Sequence, residues 1–305
     1  MATPDVRAPL DGVLVIDKPE GLTSHDVVAR VRRATGCRRV GHTGTLDPLA
    51  TGVLALVLGR ATRLARFLAG QDKQYETDIT LGRETDSYDA DGTEVARHDG
   101  PLPSAAEVEA AVERLRDQEF QVPPPFSAKK VAGTRAYRLA RRNEPPALAP
   151  VRVVLREVEL VRYDPPVARV QLTASAGFYV RSLAHDLGAA LGCGAHVAAL
   201  RRTRTGDFDL EHALPLAALV DTPALVPRHL VPLSELLPGT DVVRLTPLGA
   251  SRARHGNLVT EAECVEAMPG ARGGPVRLLD PEGRLVGLAT GGRIAWPLHP
   301  DVVLD

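Results

Sequence analysis

Residues 41–58, GHTGTLDPLATGVLALVL, split into a polar loop and an apolar run, and where that split falls decides how the fold is read. The run from Val53 to Leu58 is too short for an independent helix and reads as a buried strand. The loop before it carries one carboxylate, Asp47, set among Gly, Thr and Pro with no acid beside it in the sequence. From residue 28 to residue 66 there are eight Arg and no acid except Asp47. Cations in that number favour the ionised carboxylate. A general acid needs the opposite, a pKa raised by burial or by a like charge. Asp47 therefore suits a nucleophile or a stabiliser of positive charge. The structural alternative is an aspartate that caps a helix or closes an Asx turn.

Working outward, GVLVIDKPEG (12–21) reads as a buried strand running into a Pro and Gly turn. A helix should follow, because Thr23 and Asp26 have capping-box spacing, Val27, Val28 and Val31 form a helical stripe, and Gly36 supplies a stop. Beyond the quoted stretch, a short helix places Leu64, Phe67 and Leu68 on one face. In QYETDITLG (74–82) the alternation puts Tyr75, Thr77, Ile79 and Leu81 on one side of a strand, so Tyr75 is predicted to point inward. Residues 104–119 read as an amphipathic helix. From Ala168 to Val180 the even positions are apolar and the odd ones polar, which predicts Tyr179 and Arg181 side by side on the outer face of one long strand. A helix with Leu183, Leu187 and Leu191 comes next, and the Leu- and Pro-rich stretch 213–239 reads as packed connecting structure. After Gly239, short strands separated by Pro-Glu-Gly and Gly-Gly turns suggest a small antiparallel barrel.

A chain of 305 residues with 44% hydrophobic and 25% charged residues is expected to fold as one large and one small domain. Its net charge of -1 conceals a strong segregation. Residues 123–142 hold Lys129, Lys130, Arg135, Arg138, Arg141 and Arg142 with no acid, whereas residues 72–119 hold 14 acids against five bases. The two basic regions suggest a face for a polyanion. No segment has the length and apolarity of a membrane helix, and MATPDVRAPLDG lacks a signal-peptide core, so the expected location is cytoplasmic. Three Cys without CxxC spacing indicate neither a disulfide framework nor a zinc finger. GCRRVGHT (36–43) misses the phosphate-loop pattern, with His42 where Lys must stand, and DSYDADG (86–92) places Ser87 and His98 where a calcium loop needs Asp and Glu. His185, Cys193 and His196 read as packed core residues rather than metal ligands.

Four blocks in one order, GHTGTLDPLATGVL (41–54), DKQYETDITLGRETDSYDADG (72–92), PPPFSAKKVAGTRAYRLAR (123–141) and GFYVRSLAHDLGAALGCGAHVAALRRTRTGDF (177–208), closely resemble the TruB-type tRNA pseudouridine synthases. The resemblance implies an α+β catalytic domain over residues 1–238, built on an extended mixed or antiparallel sheet. It implies a small PUA-like β-barrel that binds RNA over residues 239–305. The implied reaction turns uridine 55, in the T loop of tRNA, into pseudouridine, with no cofactor or metal; the chain is expected to act as a monomer. Carried over by position, Asp47 is the catalytic aspartate, Tyr75 the ring that packs on the target base, and Arg181 the aspartate's partner. His42 matches the residue inserted into the T loop, Tyr179 and Leu200 match the lining of the uridine pocket, and Asp89 matches an acid adjacent to the site. Residues 123–150 resemble a flap over the RNA stem, with Lys129, Lys130, Arg141 and Arg142 as its RNA contacts. Two departures are visible: Phe126 stands where the family pattern has Tyr, and Ala176 replaces a more polar residue.

Overall fold

The computed structural model describes residues 10–127, 129–131, 134–136, 139, 147–290 and 294–304. The main elements of its first part are β1 (Gly12–Lys18), α1 (Ser24–Thr35), β2 (Val40–His42), β3 (Thr51–Leu58), α2 (Ala65–Ala69), β4 (Lys73–Leu81), α3 (Ala105–Arg114), β5 (Leu155–Asp164), β6 (Val167–Ala174), α4 (Val180–Leu191), β7 (Ala195–Thr205), β8 (Leu214–Pro215) and β9 (Leu230–Pro232). With a two-residue strand at Phe208–Asp209 that pairs with β7, they build a ten-stranded mixed sheet with the order β5-β6-β4-β7-β3-β1-β8; β2 pairs with β3, and β9 with β1. Strand β7 is the hinge of this topology, since it runs antiparallel to β4 on one side and parallel to β3 on the other.

The unbroken apolar runs of β1 and β3 have a physical reason, which is that both of their faces are covered. Leu14, Ile16, Leu54 and Leu56 pack into a core shared with Val27 and Val31 of α1, Val108 of α3 and Leu183 of α4. Val13, Val15, Val53 and Ala55 face the other way, onto Leu64 and Leu68 and onto Leu279, Leu285 and Leu304 from the C-terminal part. Each such side chain stabilises the fold by about 1.5–3 kcal/mol when fully buried. The loop that precedes β3 is thereby mounted on a strand locked from both sides.

Helix α1 follows its sequence signals. Thr23 and Asp26 form a reciprocal capping box, and Gly36 ends the helix in the left-handed region at φ 70°. In β4 the side chains alternate as expected, and Tyr75 is buried. Helix α3 is shorter than predicted, giving way at Leu115 to a 3-10 turn.

The long strand expected through residue 180 is not formed. β6 stops at Ala174, where its partner β5 begins to pair at Leu155, and Gly177 turns the chain with φ 88°. Tyr179 and Arg181 are therefore not neighbours on a strand. Tyr179 is the N-cap of α4, and Arg181 sits in that helix's first turn.

The C-terminal part forms a second sheet, with strands β10 (Val242–Leu245), β11 (Cys264–Met268), β12 (Val276–Leu279), β13 (Leu285–Ala289) and β14 (Pro300–Val303) in the order β11-β10-β12-β13-β14. It departs from an all-antiparallel barrel, because β10 and β12 run parallel and the order is open. Helix α5 (Pro247–Arg254) packs Ala250 and Ala253 against Val243, Leu278 and Val286.

Candidate active site

The loop from Thr43 to Ala50 is held from several directions, and Asp47 lies near its middle. Ser24, at the start of α1, clamps the residue before Asp47 by donating to the Leu46 carbonyl (3.0 Å) and accepting from its N–H (2.8 Å). The residue after Asp47 is held too: the Pro48 carbonyl accepts from the Gly21 N–H (2.9 Å) and from Lys18 Nζ (3.2 Å). Burial lowers the Lys18 amine to about 8, with Asp47 pulling the other way. Behind the loop, buried Arg202 donates to the carbonyls of Gly44 (3.1 Å), Thr45 (3.4 Å) and Val53 (2.7 Å).

Arg181 reaches Asp47 from the first turn of α4. Its Nη2 lies 3.0 Å from Asp47 Oδ2, and its Nη1 lies 3.3 Å from Asp89 Oδ2. The guanidinium also donates to the carbonyls of Ser87 and Phe126, each at 2.9 Å. Arg181 is thus shared between two carboxylates of different exposure: the Asp47 side chain is 37% accessible and that of Asp89 only 6%. Asp47 looks isolated in sequence, yet the fold gives it an acid neighbour with a cation between the two. Burial raises the Asp89 carboxyl above its ordinary range, and Arg181 and the Ser87 hydroxyl offset this only in part. Asp89 accepts from Ser87 Oγ at 2.6 Å and from the Asp91 N–H at 3.2 Å, so the DSYDADG turn faces inward onto Arg181.

A cleft of about 310 Å³ opens between these parts, lined by Asp47, Lys73, Tyr75, Tyr179, Arg181, Leu200 and Arg202 among others. Tyr75 and Leu200 come from β4 and β7, and Tyr179 from the start of α4. Gln121 fixes Tyr179 by bonding both its N–H (2.8 Å) and its carbonyl (3.0 Å). Burial raises the Tyr179 hydroxyl's pKa, opposed by Arg181 and by Ser127. His42 lies on β2, close to the loop, half-buried, with its ring edge-on to His25 at 5.6 Å between centroids. Burial, then His25 and Arg202, lowers its pKa, so the imidazole is neutral at pH 7.

The sequence-predicted residues Asp47, Tyr75, Arg181, Tyr179 and Leu200 therefore converge on one cleft, with Asp89 bound to Arg181 behind it. Lys129 is exposed on the segment that follows. Lys130 pairs its backbone with Arg135 in a two-residue ladder, and its side chain lies outside the description, as do Arg141 and Arg142 entirely. Phe126 contributes its carbonyl to Arg181, a contact that needs no side-chain hydroxyl. His196, which bonds the Arg83 carbonyl, and Cys193 are buried, as packed core residues would be, whereas His185 is only partly buried and meets Glu84 and Asp186. Among the described residues no group of three or more His, Cys, Asp or Glu could hold a metal. Lys18, Lys73, Arg202, Ser24 and Gln121 were not singled out from sequence; a charge at the end of a buried apolar run, as in VIDK, is the signal that points to Lys18.

Two family models match the chain. One describes the N-terminal domain of TruB family pseudouridylate synthases and covers residues 32–180; the other describes the C-terminal domain of tRNA pseudouridylate synthase B and covers residues 181–237. A tRNA pseudouridine synthase B of Solibacter usitatus is 42% identical over 299 residues, which is 97% of this chain and 100% of that protein. The chain belongs to the TruB family. A second TruB relative, from Thermobifida fusca, is 43% identical over 92% of this chain and 94% of its own length. Among solved structures, a Cbf5-Nop10-Gar1 complex matches with a TM-score of 0.75 at 24% identity, covering 100% of this chain and 91% of that one. An archaeal box H/ACA sRNP Nop10-Cbf5 complex matches with a TM-score of 0.71, also at 24% identity, over 97% of this chain and 86% of that one. These two likenesses concern the fold.

Proposed function

We infer that this chain converts uridine 55 of tRNA into pseudouridine, working as a monomer on the T stem-loop with Asp47 as its central catalytic group. The observation that carries the reading is the Asp47 carboxylate, tied by one oxygen to a buried Arg181 and still open to a cleft that Tyr75 lines. The reaction breaks the N1–C1′ bond of uridine, turns the uracil and joins C5 to C1′; a base takes the C5 proton and N1 gains one, so that the product is an isomer of the substrate. A base stacked in a folded loop cannot offer C1′ to a side chain, so the nucleotide must be flipped out at a cost of a few kcal/mol.

His42 supports that step. A neutral imidazole beside the loop can fill the space a flipped base leaves without desolvating a charge. Tyr75 then packs on the base, and Leu200 with Tyr179 closes the walls of the pocket. These groups exclude water, which would otherwise capture C1′ and release free uracil. Arg181 pairs with Asp47 and aims it, while Asp89 and two backbone carbonyls hold Arg181. A covalent route through C1′ and a glycal route both use this anionic carboxylate; in the second, Tyr75 is the base.

The segment leading into the basic flap is fastened to the same helix start. Gln121 bonds Tyr179, the Val122 carbonyl accepts from Ser182, and the Phe126 carbonyl accepts from Arg181. Flap contacts to the RNA by Lys129, Lys130, Arg141 and Arg142 are thus coupled to the site's geometry. Residues 1–238 form the catalytic domain in this reading, and residues 239–305 a PUA-like RNA-binding appendage.

Incubation with an unmodified tRNA transcript tests the proposal. Pseudouridine is expected at position 55 alone, found by chemical mapping. Free uracil in the supernatant would identify a hydrolase instead, and tightly bound but unmodified tRNA would identify a binding protein without chemistry.

A further inference from the structure

Arg202 is among the largest fully buried side chains in the molecule, at 1% exposure. Among the described residues no carboxylate lies within ion-pair distance of it; Asp47 attracts it only from further off. Burying a guanidinium without a close anion is costly, and a hydrophobic side chain of similar volume is often neutral or stabilising at such a place. Packing alone does not account for this residue.

Its position in the topology does. β7 is the strand between β3 and β4, and Arg202 is paired with Tyr75 across the antiparallel ladder and with Gly52 across the parallel one. Its side chain bonds the carbonyls of Gly44, Thr45 and Val53, on both sides of Asp47 in sequence, and Tyr75, its cross-strand neighbour, lines the same cleft. One residue therefore stands between the two elements that carry the aspartate and the stacking ring, its guanidinium tied to the first and its backbone paired with the second. Both glycines that flank Asp47 in the motif abut this residue. A Cβ on Gly44 would lie 3.1 Å from Lys73 Cε and 3.4 Å from Arg202 Nη1. A Cβ on Gly52, whose φ is +96°, would lie 2.2 Å from the Arg202 carbonyl oxygen.

We propose that Arg202 is a positioning residue for the isomerisation, holding the Asp47 loop against Tyr75 so that carboxylate and ring keep one relative placement while the uracil turns. This rests on the reading of the chain as a uridine-55 synthase. A carbonyl-binding cation suits that task, because its three donors fix a loop's backbone in orientation as well as in distance. Arg181 acts on the carboxylate itself, whereas Arg202 acts on the chain that presents it.

The test uses the full chain and a T-loop hairpin, comparing wild type with Arg202→Lys, Arg202→Met, Tyr75→Phe and the double variant Arg202→Lys/Tyr75→Phe. Single-turnover rate at saturating RNA, RNA affinity and melting temperature are measured for each. Misplacing a reacting group by about 1 Å can cost roughly 100-fold. The expected result is a loss of about that size in the single-turnover rate of Arg202→Met, with a smaller loss for Arg202→Lys and affinity held within about threefold. The double variant is expected to be less impaired than the product of its single losses, since Arg202 and Tyr75 are neighbours across the β4–β7 ladder and act on one placement. Should Arg202→Met fail to fold, Arg202→Lys, which keeps a cation but cannot make all three carbonyl bonds in the same geometry, is expected to lower the rate without weakening binding. Folded Arg202 variants that keep wild-type rates, or losses that simply multiply with Tyr75→Phe, overturn the inference. Absence of pseudouridine with wild type overturns the functional reading instead, so the two failures are distinct.

Discussion

Two clusters of Arg and Asp belong to different parts of this molecule, one beside the large sheet and one in the C-terminal sheet, and they use the same residue types differently. In the C-terminal sheet Asp280 is completely buried and fully used: Oδ1 accepts from the N–H groups of Glu282 (3.1 Å) and Arg284 (2.9 Å), and Oδ2 from Arg254 (2.6 Å) and Arg284 Nε (2.8 Å). In the cleft the ratio is inverted, with one Arg181 serving Asp47 and Asp89. A carboxylate surrounded by donors closes a turn. A carboxylate with one donor and an open side can meet a substrate. The number of donors per acid, rather than the presence of an ion pair, separates the closed Asp280 cluster from the cleft proposed as the chemical site.

Removing the shared cation should have the largest effect. Arg181→Met leaves Asp89 buried beside an unpaired polar environment, so stability should fall by about 3–5 kcal/mol. The single-turnover rate of the folded protein should fall by at least about 100-fold. Urea titration and rapid quench read the two effects. Equal urea midpoints for variant and wild type would break the comparison.

Asp280→Asn should be milder and confined to stability. Loss of its charge-assisted bonds should cost about 1–3 kcal/mol, and pseudouridine formation by the folded protein should stay within about threefold of wild type. A large rate loss would mean that the second sheet takes part in the chemistry.

The smallest effect is a difference of slope with pH. Burial opposes ionisation of Asp280, but the Arg284 N–H and the two guanidiniums outweigh it and lower the pKa below the ordinary 3.8. Its contribution is present above 3.8 and is lost as pH falls through the folded value. Asp89 is shifted the other way, so its contribution is present below 3.8 and is lost as pH rises through the raised value. Relative to wild type, Asp280→Asn should therefore lose stability as pH rises toward 3.8, and Asp89→Asn should gain it as pH rises beyond. Denaturant midpoints across the acid range check the sign, and parallel curves would refute it.

Much of this was legible in the sequence because the deciding forces are local. The Thr23 and Asp26 capping box, the left-handed Gly36 and the two-residue period of β4 each act within a few positions, and they gave α1 and an inward Tyr75. Arg181 was singled out as the partner of Asp47, which it contacts, but was placed on the wrong element. Ala176, Phe178 and Val180 prolong the strand's alternation by coincidence, and what ends β6 is the end of pairing with β5 together with the turn at Gly177. Arg202 could not be separated from Arg201 and Arg204 by composition. Arg201 pairs with Asp17 and Arg204 with Asp209, both partly exposed, while Arg202 is buried because β3 and β4 close over it. The Asp280 cluster lay inside a Pro-Glu-Gly turn that showed only a change of direction.

The central claim, that an open carboxylate on a shared arginine is the chemical centre, is tested most directly by the single-turnover rate of Asp47→Asn on a T-loop hairpin, measured beside its melting temperature and RNA affinity. The expected result is a rate loss greater than roughly 1000-fold, with folding and binding close to wild type. An Asp47→Asn protein that still makes pseudouridine at the wild-type rate would contradict it.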